Sequence, residues 1–194
     1  TTKKVAWKTC FHELIWFIRG KTDNNLLNEK NVHICDGNGS REFLDSRGLN
    51  NNEVNDLGPV YGHQWRNFNA PYTNCHDNYR GKGVDQLQHI SNLLKDPNAR
   101  TSRRLIFSAR NPCQLEEMAL PPCHVLMQFN VRDNNYLSCS LYQRSGDVGL
   151  GVPFNIASYS FLTHIIAHHC GLIADEFVHF IGNAHIYEDH IETL

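Results

Sequence analysis

The chain has 194 residues, 41% hydrophobic and 20% charged, a balance that excludes a disordered or membrane-spanning protein and suits one globular domain over 1–194. A net charge of −2 gives no global attraction to a polyanion, so RNA binding is not indicated by charge. Seven cysteines at irregular spacing, without a CxxC pair, argue against a disulfide framework and for a reducing, cytoplasmic setting.

In chain order, VAWKTCFHELIWFIRG (5–20) carries a helical apolar stripe that ends in Arg19 and Gly20. Glu13 sits inside it, where a carboxylate either faces solvent or is held for chemistry. Residues 36–83 turn to Asn, Gly, Asp and Arg, a long irregular stretch interrupted by DLGPVYGHQW, and loops of that length tend to carry function. Residues 83–96 read as a second amphipathic helix, and RRLIFSAR (103–110) as a strand led by two arginines. HVLMQFNVR (124–132) and YLSCSLYQR (136–144) alternate around DNN, the signature of a hairpin. FNIASYSFLTHIIAHHCG (154–171) is a long apolar helix with Pro153 ahead of it and Gly171 at its end, and FVHFIGNAHIY (177–187) returns to strand. The sum is an α+β fold, a mixed β-sheet packed with long buried helices.

Cys123 follows Pro121 and Pro122, which fix the entering chain in extended form. A thiol there is either a buried small hydrophobe or a nucleophile. If Arg132 pairs with Tyr136, Cys123 and His124 fall opposite Ser145 and Arg144, and an arginine beside a thiol favours the thiolate. Arg103 and Arg104, adjacent on a strand, point to opposite faces, and their guanidinium forks match phosphate geometry. His185 and Tyr187, two apart, project to one face and suit a hydroxyl-bearing ligand such as a sugar. His168, His169 and Cys170 are consecutive, and neighbours on a helix diverge too far to clasp one ion easily, so no metal site is assigned.

ELIWF, DLGPVYGHQWR, SRR, MALPPCH, YQRSGDVGLGVPFNIASY and GNAHIY, in this order, resemble thymidylate synthase over essentially the whole chain. The inserted DGNGSREFLDSRG and YRGKGVDQL bring it nearest the eukaryotic and viral type. The resemblance implies reductive methylation of dUMP to dTMP with 5,10-methylenetetrahydrofolate as carbon and hydride donor, and no metal. It implies Cys123 as nucleophile at C6, with Glu13 serving a water network, Tyr61 near the C5 proton, and Asn155 reading the uracil edge. Arg144, Ser145 and Gly146 would hold the nucleotide, His185 and Tyr187 the ribose, and Arg103 and Arg104 the phosphate of the other subunit of a homodimer joined through its sheet face. Asp147, Leu150, Gly151, Phe154 and Ile34 would receive the folate, and fusion to or coupling with dihydrofolate reductase also belongs to the family. The family starts earlier, with a phosphate-binding loop, and ends later, with a closing tail, so the chain from TTKKVAWK to HIETL is expected to be a central portion of something longer. Cys35 and Arg110 stand where the family usually carries tryptophan. The alternatives are a hydroxymethylase of the same fold, which Cys35 favours, and an inactive or RNA-binding relative; nucleus or mitochondrion are further locations in a eukaryote.

Overall fold

The computed structural model describes residues 4–193, so the first three residues and Leu194 lie outside it. The chain groups into two compact units: one holds the segment up to Phe11, His89–Phe107 and everything from Cys123 onward; the other holds His12–Gln88 and Ser108–Pro122.

The first unit is built on a sheet of β1 (Ile106–Ser108), β2 (His124–Arg132), β3 (Tyr136–Asp147) and β4 (Ile173–His185), in that spatial order. β2 and β3 form the expected hairpin, with Arg132 opposite Tyr136. Asp133 and Asn134 turn the chain at φ of 52° and 54°, a left-handed region their short polar side chains tolerate. Alternate residues on the hairpin strands, among them Met127, Phe129, Leu137, Cys139 and Leu141, are buried. The predicted register fails at one end. A bulge between His124 and Leu126 places one extra residue on β2, so His124 faces Gln143 instead of Arg144. Cys123 then lies beside Arg144, whose N–H donates to its carbonyl at 2.9 Å.

β3 and β4 run parallel, and a parallel pair needs a crossover, here α7 (Gly151–Cys170). This helix is apolar on nearly every side, as a helix within a core should be, and it packs on β3 and β4 with Tyr159 stacked on Phe177. It begins three residues earlier than predicted, with Pro153 in its first turn, where a missing N–H costs no helical bond. Gly171 ends it as expected, at φ 68°.

Two strand boundaries also move. β1 spans only three residues, and Arg103 and Arg104 sit on the exposed turn ahead of it, not within a strand. β4 starts at Ile173 and stops at His185, leaving Tyr187 just past its end. One face of the sheet stays open: Tyr142 and Phe180 are paired across β3 and β4 at 47% and 58% exposure, with Val178 beside them.

In the second unit, α1 (Trp7–Ile18) contributes buried Leu14, Trp16 and Phe17. The stretch predicted as irregular contains α3 (Asp36–Gly39), α4 (Arg41–Ser46) and α5 (Tyr61–Asn67), after the single turn of α2 (Asn25–Asn28). Such short helices carry little intrinsic stability and depend on their surroundings. Arg41 donates to the carbonyls of Leu49 and Asn52, and Arg66 grips the Asp85 carboxylate and the Ile18 carbonyl. Gly58, in the GPVYG segment, has φ 76°, and a Cβ there would lie 2.0 Å from the Glu117 carbonyl oxygen. The helix predicted over 83–96 is α6 (Gln86–Lys95).

Candidate active site

Three strand termini meet at one end of the sheet in the first unit. β2 begins there, whereas β3 and β4, being parallel, both finish there. Ser145, Gly146 and Asp147 are consequently registered against Asn183, Ala184 and His185, and Cys123 enters from the neighbouring strand. Cys123 is half-buried and Arg144 is exposed, so the thiol is not sealed within the core and the guanidinium reaches solvent. Val148 donates its N–H to the His185 carbonyl at 2.8 Å, tying the loop after β3 to the end of β4.

Asp147 organises the loop that leads into α7. Its Oδ1 accepts from the N–H groups of Gly149 and Leu150, while Oδ2 lies 3.2 Å from Nδ1 of His190. Leu150, about half exposed, and half-buried Phe154 flank that loop and the first turn of α7, with Gly151 between them. An apolar edge beside one carboxylate fits a flat ring that bears N–H donors. His185 and Tyr187 stay together despite the end of the strand, with ring centroids 5.1 Å apart and planes at 80°. Gly146 has a packing reason for its identity. A Cβ would meet Gln143 Nε2 and Val152 Cγ2 at 3.0 Å each, so only its backbone is left for a ligand.

Sequence reasoning missed a buried polar network behind these residues. Gln143 Nε2 donates to the Ser145 carbonyl at 2.8 Å and to Asn155 Oδ1 at 2.9 Å, and Gln143 Oε1 lies 2.8 Å from His179 Nε2. An atom facing two carbonyl acceptors must be the NH₂, so the Gln143 oxygen is the end that accepts from His179. His124 is hydrogen-bonded to Asn155 from the other side. Burial, reinforced by His179, pulls the His124 imidazole down from 6.5 to about 3, which keeps it neutral. The one visible signal was polar residues at inward positions of otherwise apolar strands.

The second unit holds the other expected residues. Glu13, Cys35 and Tyr61 line a recess of about 50 Å³ together with Trp16, Phe17 and Val60. That is room for more than one water. Burial raises the Glu13 carboxyl from 4.5 to about 7, so it is half-protonated near neutral pH, the state suited to both giving and taking a proton. Glu13 is half-buried and turned into this recess, away from a fully solvent-facing stripe. Burial, with Glu13 and Asp36 adding to it, pushes the Cys35 thiol up to about 12. Ile34 is half exposed and does not line the recess.

Arg103 and Arg104 are exposed and make no ion pair with an acidic residue among the described residues. His168 and His169 are exposed while Cys170 is buried, its thiol directed at the Ser91 carbonyl, so these three do not converge. No helix among the described residues is long and apolar enough to cross a membrane.

Comparison with known proteins points to one family. The chain is 60% identical over 194 residues to the bifunctional dihydrofolate reductase-thymidylate synthase of Plasmodium berghei (strain Anka), all of it aligning with 32% of that protein. It is 57% identical over 201 residues to the probable thymidylate synthase of Schizosaccharomyces pombe (strain 972 / ATCC 24843), again all of it against 32%. Against the bifunctional dihydrofolate reductase-thymidylate synthase of Leishmania amazonensis it is 57% identical over 196 residues, covering 37% of that protein. The chain thus spans about a third of the length of these relatives. The family model described as thymidylate synthase matches residues 1–194, and with the strand ends, the half-buried Cys123 and the Asp147 loop in place, the chain belongs to the thymidylate synthase family.

Proposed function

We propose that the protein carrying this chain methylates dUMP to dTMP, with 5,10-methylenetetrahydrofolate as co-substrate and dihydrofolate as product. The observation that carries the reading is Cys123, a half-buried thiol whose backbone carbonyl accepts from the Arg144 backbone N–H, set among the ends of β2, β3 and β4. Its thiolate adds to C6 of the uracil, and the displaced electron pair becomes nucleophilic at C5. The co-substrate supplies the one-carbon unit and the hydride. Arg144 and Ser145, with the Gly146 backbone, hold the nucleotide; His185 and Tyr187 take the ribose hydroxyl; Asn155 reads the base. Glu13, poised near neutrality, serves the water network for proton exchange at O4, and Tyr61 attends the proton that leaves C5. Leu150, Phe154 and Asp147 offer the apolar edge and the acceptor for the pterin, with Gly151 and Ile34 as further folate contacts.

We read residues 1–194 as one catalytic domain that works as a homodimer in the cytoplasm. The open apolar face around Tyr142, Val178 and Phe180 supports dimerisation, and two exposed arginines without acidic partners support a role at a neighbour's phosphate. A dihydrofolate reductase on the same polypeptide is part of the proposal, supported by the bifunctional relatives.

Cys123→Ser tests the core of this reading, because the groups assigned to phosphate, base and ribose lie on other residues. In the full-length protein, dTMP formation should fall to background while dUMP affinity stays within about tenfold, a change of no more than roughly 1.4 kcal/mol. Retained turnover, or a covalent nucleotide adduct that survives in the serine variant, would remove Cys123 as the nucleophile.

A further inference from the structure

The second unit carries a cluster of metal-binding side chains that the proposed reaction does not use. Asp23, Cys75 and His76 present ligand atoms that all lie within 4.8 Å of one another. Cys75 Sγ and His76 Nε2 are 3.6 Å apart. A tetrahedral zinc ion with bonds of about 2.3 Å to sulfur and about 2.0 Å to nitrogen holds those two donors roughly 3.6 Å apart. His76 Nε2 also lies 3.0 Å from Glu53 Oε2, an exposed carboxylate at the edge of this three-donor cluster and not within it.

A second observation, on charge, is independent of that spacing. Asp23 is only 8% exposed, and its carboxylate accepts a single hydrogen bond, from the Asn25 N–H at 2.8 Å. Asp56, 1% exposed, accepts from the Cys75 N–H through Oδ2 and from the Gly58 N–H and the Tyr72 hydroxyl through Oδ1. Neither carboxylate ion-pairs with Lys, Arg or His among the described residues. Buried carboxylates are costly unless a cation compensates them, and here Asp23, Asp56 and Glu53 surround a thiol with one imidazole as the sole basic partner.

We propose that Asp23, Cys75 and His76 bind one zinc ion, to which the exposed Glu53 carboxylate swings in as the fourth ligand. Sulfur and imidazole among the donors select zinc over magnesium or calcium, which take oxygen. Cys75 loses its proton on binding, and the ion replaces the hydrogen now shared between His76 and Glu53. Asp56 stays outside the coordination shell and fixes the Cys75 backbone. The ion joins three segments distant in sequence, at residues 23, 53 and 75–76, and so acts as a staple for the second unit, separate from the chemistry at Cys123.

The test uses full-length protein freed of metal by a chelator. Zinc titrated in competition with a chromogenic chelator should bind with one equivalent assigned to this site, and should raise the thermal midpoint of unfolding. Cobalt(II) in place of zinc should give a thiolate-to-metal charge-transfer absorption. Cys75→Ser should abolish that absorption, and Cys75→Ser and His76→Ala should each weaken zinc binding at least tenfold and remove the thermal shift. Both side chains lie at or near the surface, and circular dichroism of the metal-free variants verifies that they fold. Wild-type protein that binds no zinc, or variants that bind it as tightly as wild type, would overturn the proposal.

Discussion

At Asn155 the sense of one amide is set by its neighbours. Gln143 Nε2 donates to Asn155 Oδ1, and the Ser145 carbonyl and His179 leave Gln143 no alternative orientation. With Gln143 and His124 both bonded to it, Asn155 turns its NH₂ to a ligand, which matches O4 of uracil; cytosine offers N4–H₂ in place of O4. Asn155→Asp retains the oxygen that Gln143 requires and exchanges only the donor for an acceptor. We expect the variant to shift the dUMP-to-dCMP affinity ratio toward dCMP by roughly a thousandfold, since a hydrogen-bonding site rejects the wrong edge by leaving buried groups unpaired. Affinities of both nucleotides for both forms check this, and a native preference for dCMP would refute the substrate assignment. Asn155 was legible because its motif runs unbroken from YQRSGD to NIASY. His124, Gln143 and His179 were not, because each is a single polar residue in an apolar strand and only the sheet register shows that they reach one amide. Glu13 is a similar case: periodicity places it on α1, but only burial raises its carboxyl.

The hairpin shows which elements local sequence determines. Its turn was readable because Asp and Asn tolerate positive φ, and its strands because their apolar residues alternate. The bulge at Val125 was not, since no glycine marks it and one additional residue changes the register without disturbing composition. The start of β4 was hidden for another reason: Ala174, Asp175 and Glu176 carry no strand pattern, and the strand is anchored there by the pairing of Ile173 and Ala174 with β3 ahead of an irregularity at Asp175 and Glu176. The same pairing puts Tyr142 beside Phe180 on the open face, where solvent covers side chains that would gain by burial. If that face joins two copies, Phe180→Lys places a charge at the contact without touching the polar network on the opposite face. Sedimentation equilibrium should find the wild-type protein dimeric and the lysine variant at least about tenfold weaker in self-association, a loss of roughly 1.4 kcal/mol or more. An unchanged dimer would move the interface elsewhere.

At the scale of the whole molecule, two buried ionisable groups oppose each other across the acidic pH range. The Glu13 carboxyl is raised from 4.5 to about 7, so between those values the folded protein holds a proton that the unfolded chain has released. Its stabilising contribution is complete below pH 4.5 and is lost as pH rises through 7. His124 is depressed from 6.5 to about 3, so between those values the unfolded chain holds the extra proton. Its contribution is complete above pH 6.5 and is lost as pH falls through 3. Each proton difference gives a slope of up to about 1.4 kcal/mol per pH unit, of opposite sign, and from pH 4.5 to 6.5 the two offset. Glu13→Gln keeps the size of the side chain and removes one of them. The variant should gain stability relative to wild type as pH rises from 4.5 to 7, with the unmasked His124 slope carrying its own stability upward to about pH 6.5. Urea unfolding of both forms at half-unit pH steps measures this as a difference curve. A curve that stays flat from pH 4.5 to 7 would mean that Glu13 is ionised in the folded protein, and the case for its proton exchange with the base would fall with it.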